Sequence, residues 1–235
     1  MPMIRALFLA WTDLLRPRIF GVLAKGVGLT ILIFIALQAA AFFALRALAP
    51  ETLALPFGAT LPLATILSWG SLALFPLMGF FLMAPVAAGF SGLYAENVAD
   101  TVEDIHYPAR PGSAMDFFES IPGALGILGA TLLVALLTLI LTPFLGPLAP
   151  VLFYAANGWL LGREFFQMAA RRHMDAAPAQ AMRQRNAAIV TLTGVAVAFL
   201  LTVPILNIAV PVVAAAAFTH LVHGLLGDED RALPV

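Results

Sequence analysis

The sequence predicts an all-α integral membrane protein, with two long transmembrane helices followed by two helical hairpins. Three observations carry this prediction. Hydrophobic residues make up 62% of the 235 and charged residues only 11%, where soluble domains run at roughly 45–50% and about 25%. Residues 120–162 contain no Asp, Glu, Lys or Arg. The stretch LTPFLGPLAP at 141–150 returns sixty-one residues later as LTVPILNIAVP, aligning Pro143, Leu145, Gly146 and Pro150 with Pro204, Leu206, Asn207 and Pro211. Two prolines seven residues apart would damage one continuous helix twice, but they suit a tight turn between antiparallel helices.

Composition also excludes whole classes. A net charge of −1 provides no global attraction to nucleic acid, and the absence of cysteine rules out disulfides and thiolate metal sites. There is no Walker loop, no HExxH and no serine elbow. The sequence therefore suggests no enzyme activity, no cofactor and no metal centre.

The whole chain reads as one membrane domain. Residues 1–15 place Ile4, Leu7, Phe8, Trp11, Leu14 and Leu15 at helical spacing, with Arg5, Thr12 and Asp13 elsewhere on the circumference. Such a helix lies in the membrane interface or packs against the rest of the protein. The first long helix is expected over 17–48, with Pro17 in its first turn and Gly26 to Leu45 covering about 30 Å, one hydrocarbon thickness. Its length, and Pro50 after Ala47-Leu48-Ala49, argue against a cleaved secretory signal. The second long helix is expected over 60–104, tilted and kinked, with Ala84, Ala88 and Gly92 forming a close-packing stripe. Beyond Tyr94, residues Glu96, Asp100, Glu103 and Asp104 share one side. A solvated acidic face is expected there; the alternative is pairing with the basic segment 163–185.

The hairpins are expected over 113–174 and 178–226. Their arms are about Pro122 to Thr142 and Leu148 to Gly162, then Ala187 to Val203 and Ile208 to Leu226. Gly123, Gly126 and Gly129, with Gly158 and Gly162, offer close-packing surfaces in the first. Three of these four arms are shorter than the roughly 20 residues of a full crossing, which makes partial insertion the expectation. Charge placement orients the chain. With residues 1–25 cytoplasmic, Arg46 is the one basic residue of 12 left outside, so both termini are expected in the cytoplasm.

Candidate sites are few. The hydrophobic segments lack Asp, Glu, Lys and Arg, which favours passive conduction, or no transport, over proton coupling. Gln38, Asn157 and Asn207, with Thr142 and Thr202, suit either pore lining or helix packing. His220 and His223 stand three apart, but with no acidic or thiol partner visible they read as interfacial residues rather than metal ligands. Arg16 and Arg18 flank the helix start at Pro17, with Lys25 two turns further on, where backbone N–H groups and positive charge favour an oxyanion; ordinary cytoplasmic anchoring is the plainer reading of the same residues. Arg163, Gln167 and Arg171 form a second basic face.

Beyond these features, Phe90-Ser91-Gly92-Leu93-Tyr94-Ala95-Glu96, Ala149-Pro150-Val151-Leu152 and Pro204-Ile205-Leu206-Asn207 occur in an order and spacing that resembles the CysZ sulfate permeases and the etoposide-induced membrane protein family, over nearly the whole chain. The resemblance implies an oligomeric, channel-like protein of the bacterial inner membrane that takes up sulfate for cysteine synthesis, with two long helices and two partly inserted hairpins. Sulfate or a similar oxyanion, membrane lipid and further copies of the chain are the implied partners. One departure stands out. The permeases carry Gly-Ile-Arg-Arg after the proline that starts the first long helix, whereas here Phe20 and Gly21 occupy the arginine positions. A non-transporting membrane scaffold of the same fold is the competing expectation.

Overall fold

The computed structural model describes residues 2–56, 60–113, 129, 133–134, 136–203 and 206–232, giving the backbone alone for residues 2, 73–93 and 228–232. The described residues are almost entirely helical. Helix α1 spans Pro2–Leu14 and α2 spans Pro17–Leu48. A two-stranded antiparallel ribbon, β1 (Leu53–Ala54) and β2 (Thr60–Leu61), leads into α3 (Leu63–His106). Then follow α4 (Ala149–Ala170), α5 (Ala176–Arg185), α6 (Ala187–Leu201) and α7 (Val210–Ala232).

Helix limits follow from local chemistry. Pro17 opens α2, and Pro150 and Pro211 lie in the first turns of α4 and α7, where a missing N–H leaves no helical bond unmade. Pro108 disfavours helical backbone at Tyr107, so α3 stops at His106. Each copy of the repeat contains one turn of 3₁₀ helix, Gly146–Leu148 and Leu206–Ile208, but through the first of them Leu136–Ala170 continues as one helical stretch, where the sequence predicts a tight turn between antiparallel arms. At the first, Gly146 adopts φ 50, the left-handed region that a residue without Cβ enters cheaply.

Among the described residues, three stretches are long and apolar enough to cross a membrane: Pro17–Leu48, Leu136–Ala170 and Val210–Gly227. The pair α5 and α6, bent by 87° at Asn186, makes a fourth if counted as one broken span. The chain is thus an all-α, multi-pass membrane protein. Helix α4 runs eight residues beyond the arm expected to end at Gly162, because Arg163 to Ala170 keep helical backbone after the apolar run ends. The first arm of that hairpin, with Gly123 and Gly126, falls mostly outside the described residues, as do the side chains of Ala84, Ala88 and Gly92.

Contacts divide the chain into two compact units, residues 24–92 and residues 1–23 with 93–235. In the first, α2 exposes Leu29, Ile31, Leu32, Ile35 and Phe43, a lipid-facing surface for a membrane helix. Gln38 donates to Ser71 Oγ at 3.2 Å, and Phe42 meets Trp69 edge to face at 5.8 Å. These contacts join α2 to α3.

In the second unit α7 is the central helix. Its Val210–Gly227 stretch is 78% buried, and Val213, Ala214, Ala217, Phe218, Leu221 and Val222 form the middle of the core. Helix α1 packs on α7, and α4 packs on both α6 and α7. Small residues allow the tightest of these approaches. A Cβ added at Gly194 of α6 would collide with the Gly158 carbonyl of α4, and one added at Gly158 would collide with Val195. Gly194→Ala should therefore push α4 and α6 apart and cost about 1–3 kcal/mol, as overpacking does elsewhere. Thermal unfolding in detergent would show a lower melting temperature than wild type, whereas Gly224→Ala, which meets nothing within 4 Å, should show no such drop.

Candidate functional site

Helix α1 turns an unexpected face inward. Ala6, Ala10 and Asp13, at i, i+4 and i+7, are buried, while Ile4, Phe8, Trp11 and Leu15 point outward. Small alanines let α1 lie close on α7, and this carries Asp13 into the protein. The helix is therefore packed on the rest of the unit, the second of the two expectations, and presents an apolar stripe to its surroundings.

A carboxylate at 0% exposure must be met by donors. Asp13 accepts from His106 Nε2 through Oδ1 and from His220 Nε2 through Oδ2, both at 2.8 Å. Arg16 Nε also pairs with Oδ1 at 2.8 Å. Burial pushes the Asp13 carboxyl up, but the two imidazole hydrogen bonds outweigh it and hold the group below its ordinary value. With the His220 proton on Nε2, facing Asp13, Nδ1 accepts the Tyr107 hydroxyl at 2.8 Å.

Tyr107 links this cluster to a second. Its ring stacks on His223, with centroids 3.9 Å apart and planes 1° from parallel. His223 Nε2 lies 3.5 Å from Glu103 Oε1, and His173 Nε2 lies 3.0 Å from the same oxygen. Arg172 grips Glu103 with two bonds, Nε to Oε1 at 3.3 Å and Nη2 to Oε2 at 3.0 Å, and Nη2 also reaches Asp100. The loop after α3 closes over this pair. Gly112 N–H donates to Glu103 Oε2 at 2.8 Å, and Ser113 N–H donates to the Arg172 carbonyl at 2.9 Å.

The solvated acidic face expected at the end of α3 is thus corrected at Glu103. Glu103 and Arg172 are both buried, and the alternative pairing with segment 163–185 is what forms. The histidine pair is likewise not a shared face, since His220 serves Asp13 and His223 serves Glu103. The acidic partners that the sequence hid come from α1 and α3, far away along the chain. All four histidines of the protein lie in these two clusters.

The other candidates lie apart from this network, Arg16 excepted. Arg18 and Lys25 are exposed. Asn157 donates to the Phe153 carbonyl at 2.8 Å within its own helix, and Asn207 is exposed at the second bend. Thr142 and Thr202 bond to backbone one turn earlier, and Thr202 also receives Tyr154 O–H at 3.3 Å, joining α4 to the end of α6. Arg163 lies over the Trp159 ring at 5.8 Å. Phe20, at one of the lost arginine positions, is exposed.

The apolar stretches of crossing length make the chain a multi-pass membrane protein. A profile of the family described as Sulfate transporter CysZ/Etoposide-induced protein 2.4 matches residues 6–211, and the chain belongs to that family. No curated protein and no solved structure matches it.

The Glu103 cluster gives the unit an acid limit. Burial pushes this carboxyl up, but contacts with His173, His223 and Arg172 and the Gly112 N–H outweigh it and hold the group far below the usual carboxylate range. A depressed folded-state pKa contributes stability that is fully present above the unfolded value of 4.5 and is lost as pH falls below it. Melting temperature followed from pH 7 downward should fall below about pH 4.5. Glu103→Gln should be less stable at pH 7, by about 3–5 kcal/mol for a broken buried pair, with a shallower acid slope; an unchanged slope would mean that Glu103 does not set it.

Proposed function

We propose that the protein is a passive permease for sulfate or a similar oxyanion in the bacterial inner membrane, supplying sulfate for assimilation. Family membership over residues 6–211 is the observation that carries this reading. The lack of Asp, Glu, Lys and Arg in residues 120–162 and 52–95 supports conduction without proton or sodium coupling, since coupled transporters place such groups at membrane depth. The placement of the basic residues, with Arg46 the one of 12 outside on this topology, supports cytoplasmic termini. A homo-oligomer embedded in lipid is part of the proposal.

The anion site belongs at the start of α2. Arg18 supplies exposed charge beside the backbone N–H groups at the helix start, Lys25 supplies it two turns further on, and Arg16, 45% exposed while paired with Asp13, lies at the same end. A second reading is favoured by Phe20 and Gly21, which replace the arginine pair of the permeases: the fold then serves as a non-transporting membrane scaffold.

Labelled-sulfate uptake into liposomes holding the purified protein, with no ion gradient imposed, separates the two. Saturable uptake that competes with other oxyanions is expected. The double variant Arg18→Gln, Lys25→Gln should cut it about tenfold, equivalent to losing about 1.4 kcal/mol of anion binding. Unchanged uptake in that variant would remove the site, and no uptake by folded wild-type protein would leave the scaffold reading.

A further inference from the structure

Asp13, His106 and His220 bring one carboxylate oxygen and two imidazole nitrogens, all within 4.8 Å of one another, from three different helices. We propose that these residues bind a divalent transition ion of the zinc class, tying α1 and α7 to the end of α3. The donor set is right for such an ion, since two neutral imidazoles and one carboxylate are a common borderline ligand set that leaves a fourth position for water. The geometry is nearly in place. Metal–ligand bonds of about 2.0–2.2 Å in tetrahedral array put donor atoms roughly 3.3 Å apart, and the three donor atoms already lie within 4.8 Å of one another, with each imidazole on a different Asp13 oxygen, so side-chain adjustments of at most about 1.5 Å assemble the site.

The second shell points the same way. A ligating histidine usually gives its other ring proton to an oxygen, which fixes the tautomer. Tyr107 Oη stands 2.8 Å from His220 Nδ1. On metal binding the ring proton of His220 moves from Nε2 to Nδ1, which leaves the Nε2 lone pair for the ion and makes the Tyr107 oxygen the acceptor. The hydroxyl needs only to rotate. His106 retains 20% side-chain exposure, whereas Asp13 and His220 are at 0% and 1%, so access and the fourth position lie on the His106 side.

Arg16 is the competing cation, with Nε 2.8 Å from Asp13 Oδ1. Its side chain is 45% exposed, so it can withdraw to water when an ion takes its place. The same is not true of the other cluster. There, His223 Nε2 is buried without a hydrogen-bond partner among the described residues, which invites an ion. But both oxygens of Glu103 are held by Arg172, whose side chain is wholly buried and cannot leave. That cluster already contains its cation.

The test uses the full chain in detergent, purified on a tag without histidine and stripped with chelator. Titrated Zn²⁺ should bind at one ion per chain and raise the melting temperature, and Co²⁺ should give the visible absorption of a four-coordinate site. Asp13→Asn and His220→Gln should abolish both signals, while His223→Gln keeps them. Tyr107→Phe, which spares every ligand, should weaken Zn²⁺ affinity about 10–100-fold. If the Asp13 or His220 variants do not fold, the more exposed His106→Gln, together with Tyr107→Phe, decides the matter. No saturable Zn²⁺ binding by the wild type, undiminished binding in the ligand variants, or loss in His223→Gln alone would each overturn the site.

Discussion

A carboxylate leaves water only when charges or donors replace its hydration, and the unit of residues 1–23 and 93–235 takes two out of water. Asp13 and Glu103 are not incidental to its packing. Each is approached by side chains from several helices, so their needs fix where those helices go. His220 and His223 can satisfy both only if α7 runs with its carboxyl-terminal half between α1 and the end of α3. Arg172 can grip Glu103 only if α4 continues past its apolar run. Tyr107 locks the two arrangements together, with its hydroxyl on one histidine and its ring on another.

The apolar packing accommodates this polar seam. Alanine faces on α1 and α7 and glycines on α4 and α6 bring backbones close, and large side chains such as Phe166 and Phe218 fill the space that remains. Dispersion contacts in such a core are not directional. By themselves they would tolerate a helix slid by one turn; a carboxylate matched to imidazoles at 2.8 Å would not.

Much of the fold could be read from the sequence. The limits of α2 and the unbroken run of α3 past Tyr94 follow from proline and charge-free length, which are local signals, whereas the turn expected at 141–150 is crossed by the continuous stretch Leu136–Ala170. The polar seam could not be read in that way, because its partners are distant along the chain and its signal was inverted. Asp13 looked like the wet side of an amphipathic α1, yet Ala6, Ala10 and Asp13 are the side that packs. A stripe of small residues was the clue, since in lipid surroundings the large apolar residues face outward and the small ones face protein. His220 and His223 were visible as a pair, but only tertiary structure assigns them different carboxylates. Arg16, Arg18 and Lys25 show the complementary difficulty: their number was obvious, whereas the diversion of Arg16 to a buried acid was not.

The separation of these partners along the chain has a consequence for biosynthesis. A polypeptide is made from its amino terminus, so Asp13 is complete 207 residues before His220, and Glu103 likewise long precedes His223. Until α7 emerges, the buried face of α1 holds a carboxylate without its second imidazole, and the core has no centre to pack on. Helix α1 must therefore wait at the water boundary, where its acid stays hydrated. Helix α7 then supplies the last imidazole to each acid, so both seams are completed together in one late step of assembly.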